Sequence, residues 1–418
     1  MCKSRGGAGR TALISLVLAL PFLTAAQAAT LEDDGDGTTS GEQAIGTGAN
    51  NSGQMAASFL DTNGVSNAAV RLSPGTLTPL PSLVTGQPCS TDAITNSGLI
   101  VGSCSDSLGR GQPMLWNAST PTAAPVQLFG PSGTLRSSAN AVNQQGAVVG
   151  VSAINNDTIY PTLWPAGSSG GVALPISLLA LVGLGNTNCV AVDVADGSAS
   201  TPVVVGNCPD GQGRPLAVIW IWSPGLLGVG ASYVVSALPI PSGALFCAVS
   251  AVNVLNEALG TCDYGPGLGN GPHTVRWAAN GGAATVLSGV SGFARNSGTA
   301  INANGQIIGE YTGAGDFANP FYWDPTAGTI TAIAPLPGGS TCVATDLSDT
   351  SLVVGTSETN DGHEHAFEWT LAGGMVDLGV LHGGYNSAVS EISRNGAYAA
   401  GASEVTGFTS HAFEATAL

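Results

Sequence analysis

The stretch "SLVVGTSETNDGHEHAFEW" (Ser351–Trp369) holds a short aliphatic run closed by Gly355 and, fourteen residues later, Trp369. The same frame recurs along the chain. "TNSGLIVG", "NQQGAVVG", "TPVVVG" and "NANGQIIG" end at Gly102, Gly150, Gly206 and Gly309, and Trp116, Trp164, Trp220 and Trp323 each follow by fourteen. "NEALG" ends at Gly260 with Trp277 seventeen residues on, and "RNGAYAAG" ends at Gly401 with Ala415 in the tryptophan slot. A degenerate first copy, "NNSGQMAA", puts Ala57 in the glycine slot and Leu72 near the tryptophan slot. These are eight copies, 45 to 56 residues apart. A period of that size marks a repeat architecture.

Each copy reads as four short strands. The first is "CVATDL" (Cys342–Leu347) and its equivalents, followed by a turn of the Asn-Gly kind, as at Asn304-Gly305 and Asn395-Gly396, where both residue types tolerate positive φ. The second, such as "SLVVG", is apolar at consecutive positions, so both its faces are expected to be buried. The third carries the tryptophan and the fourth is "MVDLGVL" (Met375–Leu381) or a looser equivalent. The predicted fold is all-β, a β-propeller of about eight four-stranded blades, with seven as the alternative count and a stacked β-solenoid as the alternative architecture. The last copy stops at "HAFEATAL" without a fourth strand. The segment "ATLEDDG" (Ala29–Gly35) is the expected donor of that strand, so residues 29–43 form an acidic N-terminal segment and 44–418 the repeat domain.

The tryptophans, one per copy, read as blade-packing residues. The cysteines test the register. Cys89 and Cys104 are fifteen apart, as are Cys247 and Cys262, and Cys189 and Cys208 are nineteen apart around a longer turn, "GSASTP". In each pair the second cysteine lies two residues after the anchor glycine, so the first and second strands of one blade bring the pair together as a disulfide. Cys342 meets Ser357 in that slot and is expected to be an unpaired, buried thiol.

The chain opens with Lys3, Arg5 and Arg10, an apolar run from Thr11 to Leu23, and "AQA" (Ala26–Ala28). That order is a signal peptide over residues 1–28, and the run is too short for a transmembrane helix. Export places the protein in the periplasm or outside the cell. Beyond the leader no lysine remains, and seven arginines face 27 acidic residues. Nucleic acid and anionic lipid need clustered cations, so neither is an expected partner, and a monomer without membrane insertion is expected.

"HAFEW" (His365–Trp369), "HAFEA" (His411–Ala415) and "DLGVLHGG" (Asp377–Gly384) resemble the HAF family of bacterial extracellular repeats, named for a His-Ala-Phe signature. The match is good over about residues 340–418; earlier copies share only the Gly and Trp frame. The resemblance implies an exported, propeller-like repeat protein and carries no established catalytic residues.

Candidate chemistry is sparse. His273, His365 and His411 each stand four residues before the tryptophan slot, and equivalent positions in different blades do not converge on one ion. "HEH" (His363–His365) lacks the His-Glu-x-x-His spacing of a zinc helix. His363 with His382 is the one histidine pair that facing loops bring together as metal ligands. Glu32, Asp34 and Asp36, alternating before Gly37, resemble a calcium loop, although position twelve is Gln43; a plain acidic, flexible N-terminus is the competing reading. No cofactor other than such a calcium ion is implied. There is no Gly-x-Ser-x-Gly elbow, and "GSSGG" (Gly167–Gly171) has no partner motif. The function these features favour is a non-catalytic binding, adhesive or structural module that meets an extracellular glycan, polymer or protein. The alternative is a hydrolase or lyase on an extracellular polymer, with its site at the channel mouth. Residues 150–300, where the copies are longest, are the expected source of any pocket. Asp, His, Arg or Tyr converging at the mouth would favour the enzyme, and a lining of Gly, Ser and small apolar residues would argue against it.

Overall fold

The computed structural model describes residues 30–35, 43–155, 158–176, 188–225, 230–265, 271–287, 295–312, 318–407 and 409–416. The leader therefore lies outside the described residues, as does Asp36. Among the described residues, 32 strands form seven hydrogen-bonded sheets, six of four strands and one of eight. The eight-stranded sheet is two four-stranded units joined through one parallel bridge, Leu216 to Cys247. Eight four-stranded blades result: residues 44–79, 89–127, 136–173, 190–237, 246–286, 295–332, 342–379, and 387–416 with the N-terminal strand Thr30–Gly35. That strand lies antiparallel on Thr409–Thr416, pairing Leu31 with Ala415 and Asp33 with Phe413. Blade 1 in turn packs on blade 8 through Met55 and Ala57 against Ala400 and Ala412. First and last blades thus meet in a closed ring. The molecule is a β-propeller, and the solenoid alternative, whose ends stay apart, is excluded.

The first strand of each blade is innermost and carries a β-bulge, as between Ala344 and Asp346. The bulge explains the anchor glycine. Gly355 pairs with Ala344, and a Cβ on it would overlap the Val343 carbonyl oxygen and crowd the Phe367 ring. Gly102, Gly150, Gly206, Gly260, Gly309 and Gly401 meet an inner-strand carbonyl in the same way. In blade 1 the small residue has changed sides: Ala57 pairs with Gly46. The aliphatic runs are buried on both faces, with Val353, Val354, Ile307, Ile308, Val148 and Val149 fully inaccessible.

The tryptophans do more than fill space. The indole Nε1 of Trp116, Trp164, Trp220 and Trp277 donates to the carbonyls of Pro81, Phe129, Pro175 and Pro239 at 2.8–2.9 Å. Each acceptor lies in the link leaving the preceding blade, so each bond ties neighbours together.

The turns after the inner strands work in a way that differs from the expectation for Asn-Gly. Positive φ falls on the closing residue, Gly53, Gly98, Gly146, Gly305, Gly396 and, in blade 5, Asn256, while Asn50, Asn253, Asn302, Asn304 and Asn395 have none. Their amides reach the next blade instead: Asn50 Nδ2 donates to Thr95 O, Asn253 Nδ2 to Asn302 O, and Asn302 Nδ2 to Ser348 O, at 2.9–3.0 Å. A second tier runs along the rim, where Asn51 N donates to Asn96, Asn96 N to Gln144, and Gln144 N to Asp196.

All three expected disulfides form, Cys89–Cys104, Cys189–Cys208 and Cys247–Cys262. They indicate an oxidising environment, extracellular or periplasmic. Cys342 is free and buried, and burial pushes its thiol up to about 12. It pairs in register with Ser357, as Cys89 does with Cys104. Ser357→Cys is therefore expected to close a fourth disulfide and raise stability by about 3 kcal/mol through a loop of about 15 residues. Thermal melts with and without reductant measure the gain, and two titratable thiols in the oxidised, folded variant would refute it.

Candidate active site

The residue four positions after the cysteine slot follows the bulge and faces the channel region. In five blades it is small: Gly48, Ala93, Ala141, Ala251 and Ala300. In three it is acidic: Asp193, Asp346 and Glu391. Two of these brace neighbouring blades. Asp193 accepts from Val194 N at 2.8 Å and from Val252 N of blade 5 at 2.7 Å. Asp346 accepts from Leu347 N at 2.8 Å and from Ile392 N of blade 8 at 3.0 Å. Glu391 is one methylene longer and takes the opening beside Gly48, where a Cβ would stand 2.9 Å from its Oε2. Glycine there makes room for the carboxyl.

Burial raises all three carboxyls, because a charge in a low-dielectric interior loses its hydration. Asp193 is pushed up to about 6 and Asp346 also rises, each against the pull of its backbone donors. Glu391 is held well above the ordinary glutamate value, by burial first and by the Asp346 charge second, with Arg394 acting the other way. Arg394 leaves the turn of blade 8 and meets Asp196 of blade 4 at 2.6 Å, half a ring away. The pair thus bars the mouth. A cavity of about 170 Å³ there is lined by Glu391, Asp346, Asp349, Arg394, Asn302 and Gln144, among others. A second cavity of about 600 Å³ shares Ala93 with it and adds Asp92, Asn140 and Ser250 from the bulges of blades 2, 3 and 5. Burial raises Asp92 as well.

The residues singled out from sequence lie elsewhere. Glu32 and Asp34 sit on one face of the N-terminal strand and both pair with the Arg71 guanidinium, at 2.6 Å each. Their alternation is therefore that of a strand. The flexible-terminus reading is corrected by the same observation, since Thr30–Gly35 is hydrogen-bonded strand. Asp33, on the other face, meets His411 at 2.9 Å, as Asp377 meets His365 at 3.0 Å. His363 lies against the Tyr385 ring, with centroids 5.0 Å apart, and the His382 carbonyl accepts a long bond from Thr406. Among the described residues no group of three or more His, Cys, Asp or Glu side chains is arranged to hold a metal ion. The pocket residues expected from 150–300 are also corrected in part: the mouth draws Asp346, Glu391 and Arg394 from the last two blades. Parts of the longer copies, 177–187, 226–229, 266–270 and 288–294, lie outside the described residues. One signal was present in the sequence, an acid inside "CVAVDV", "CVATDL" and "SAVSEI" where sister strands carry a small residue.

No family model and no curated protein matches the chain. Solved structures do. The β-propeller domain of the trilobed protease from Pyrococcus furiosus aligns with a TM-score of 0.49 and 10% identity, covering 85% of this chain and 96% of that one. Prolyl oligopeptidase B from Galerina marginata aligns with a TM-score of 0.55 at 6% identity, over 83% of this chain and 52% of that one. Puromycin hydrolase aligns at 0.51 and 14%, over 82% and 54%. The fold is shared. This chain spans about half the length of the last two. The two aligned structures with TM-scores above 0.5 are named as an oligopeptidase and a hydrolase, and the mouth of this chain carries convergent carboxyls with an arginine where small side chains would have left it inert. The expectation of a non-catalytic binding, adhesive or structural module is corrected on those two findings.

Proposed function

We propose that this protein is a hydrolase of an extracellular polymer, acting at the channel mouth. The observation that carries the reading is Glu391, a carboxyl that shares the mouth cavity with Asp346 and is held well above the ordinary glutamate range by burial and by the Asp346 charge. A protonated carboxyl can donate to a leaving-group oxygen, and a neighbouring carboxylate can stabilise the positive charge that develops or steer water. Arg394, anchored by Asp196, limits the rise of Glu391. Asp346 and Asp349 line the same cavity as Arg394, Asp196 pairs with it and Asp193 feels its charge, so acids outnumber this one arginine and polyanions are repelled. That weighs against a lyase, whose elimination chemistry starts from a uronate. Secretion through the N-terminal leader, and the membership suggested by the His-Ala-Phe repeats, belong to the same reading, in which the mature chain works outside the cytoplasm as a monomer and needs no metal. The test is release of reducing ends or amines from a panel of neutral polysaccharides and peptides. Activity that is present in the wild-type protein and lost in Glu391→Gln supports the reading; equal activity in both overturns it.

A further inference from the structure

An uncharged cavity of about 530 Å³ lies away from the acidic mouth, between blades 2 and 3. That is within the usual range for small-ligand sites. Its floor is aliphatic, built by the half-buried Leu99 and Leu115 beside buried Trp116, with exposed Val126 at the margin. Its rim is hydroxyl and amide, including Ser97, Thr120, Gln145 and Ser168. Not one of its fourteen lining residues is ionisable at neutral pH. It also absorbs a motif the mouth leaves unused, since Gly167, Ser168 and Ser169 of "GSSGG" form one wall.

The position of this cavity connects it to the mouth. Ser97 and Gln145 sit in the turns of blades 2 and 3, and their chain neighbours Asn96 and Gln144 line the mouth cavity. A chain lying in the outer cavity therefore passes over Asn96 and Gln144 toward Glu391.

We infer that the groove between blades 2 and 3 is a subsite for a neutral sugar unit of a polysaccharide whose next units extend to the channel mouth. A pyranose ring has one face of C–H groups and a perimeter of hydroxyls. The aliphatic floor matches the face, and the Ser, Thr and Gln rim matches the perimeter, because unpaired hydroxyls in a pocket must find partners. Charged units are disfavoured twice over: the groove offers them no counter-charge, and the mouth repels anions. The inference takes the direction of the polymer from the hydrolase reading, but binding in the groove is measured separately from turnover.

The experiment is calorimetric titration of the mature protein with cello-, xylo- and malto-oligosaccharides, up to about 10 mM so that weak contacts register. The same titration is run on Gln145→Ala and on Ala124→Trp, which fills the groove from an exposed position. At least one neutral oligosaccharide is expected to bind the wild-type protein, with roughly a tenfold weaker Kd or none in Ala124→Trp and a smaller loss in Gln145→Ala. No binding by any neutral oligosaccharide overturns the subsite, as does binding that both groove variants leave unchanged, or preference for an acidic sugar or a peptide. Failure of the hydrolase reading looks different: oligosaccharide bound in the groove with no turnover that depends on Glu391.

Discussion

Arg71→Met is expected to loosen the closure of the ring and cost about 3–5 kcal/mol at pH 8, the usual penalty for removing one partner of a buried ionic cluster. Arg71 is 2% exposed and stands in blade 1, where its guanidinium pairs with Glu32 and Asp34 of the N-terminal strand and with Glu414 of the last strand. It also donates to Gly53 O at 3.0 Å, while Asp34 accepts from Gly75 N at 2.8 Å. The joint therefore ties first blade, last blade and closing strand together. Three carboxyls around one cation leave an excess of negative charge, and Asp34 Oδ2 and Glu414 Oε1 have no partner. Burial pushes Glu414 up to about 7, well above the ordinary glutamate value, and raises Asp34 as well, although Arg71 opposes both.

The sign of the pH effect follows. A carboxyl whose folded value is raised binds its proton more tightly in the folded state, so its contribution is full below about pH 4.5 and is lost as pH climbs through 7. The ring should be firmer in mild acid. Without Arg71 the carboxyls have no counter-charge, so the loss in Arg71→Met is largest in alkali and shrinks in acid as they take up protons. Melting curves from pH 5 to 9 read this out, with a shift of roughly 5–10 °C at the alkaline end. Glu414→Gln should stabilise at pH 8. An Arg71→Met loss that does not vary with pH would sink the account, as would unchanged amide exchange in Thr30–Gly35.

Glu391→Gln is expected to lower hydrolysis by about 10²–10⁴-fold, the usual contribution of a positioned proton donor. Glutamine keeps the shape beside Gly48 but cannot give up a proton to a leaving group. Burial and Asp346 hold the Glu391 carboxyl well above the ordinary range, so the active, protonated form persists to higher pH than it would in an exposed glutamate. Wild-type kcat should therefore fall as pH rises through that raised value. The residual rate of Glu391→Gln should lack this limb. Asp346→Asn removes the charge that helps keep the proton on Glu391, and it should move the limb to lower pH. A limb that stays in place in Asp346→Asn, or that survives in Glu391→Gln, would remove Glu391 from the proton-donor role.

The repeat was legible because its determinants are local. A bulge in each inner strand demands a glycine opposite, the strand pattern demands two buried faces, and both fall at fixed offsets, so Gly355 and Trp369 reappear from blade to blade. The disulfides were legible for the same reason: Cys89 and Cys104 face each other across one hairpin, and fifteen residues of sequence decide the matter. The site was not, and the histidines show why. His363 and Glu364 stood out as chemistry-bearing residues adjacent in the chain, yet His363 lies just before the strand that Glu364 opens and rests against the Tyr385 ring. Asp193, Asp346, Glu391 and Arg394 looked ordinary because the site draws them from three separate blades. Sequence alone therefore determined the blade, its register and its crosslinks, all set by contacts within one hairpin or between successive strands. Closure of the ring decided the rest, since only it brings Arg394 to Asp196 across the mouth and Arg71 to Glu32, Asp34 and Glu414 at the joint. Those partners lie far apart along the chain, so no local period records them.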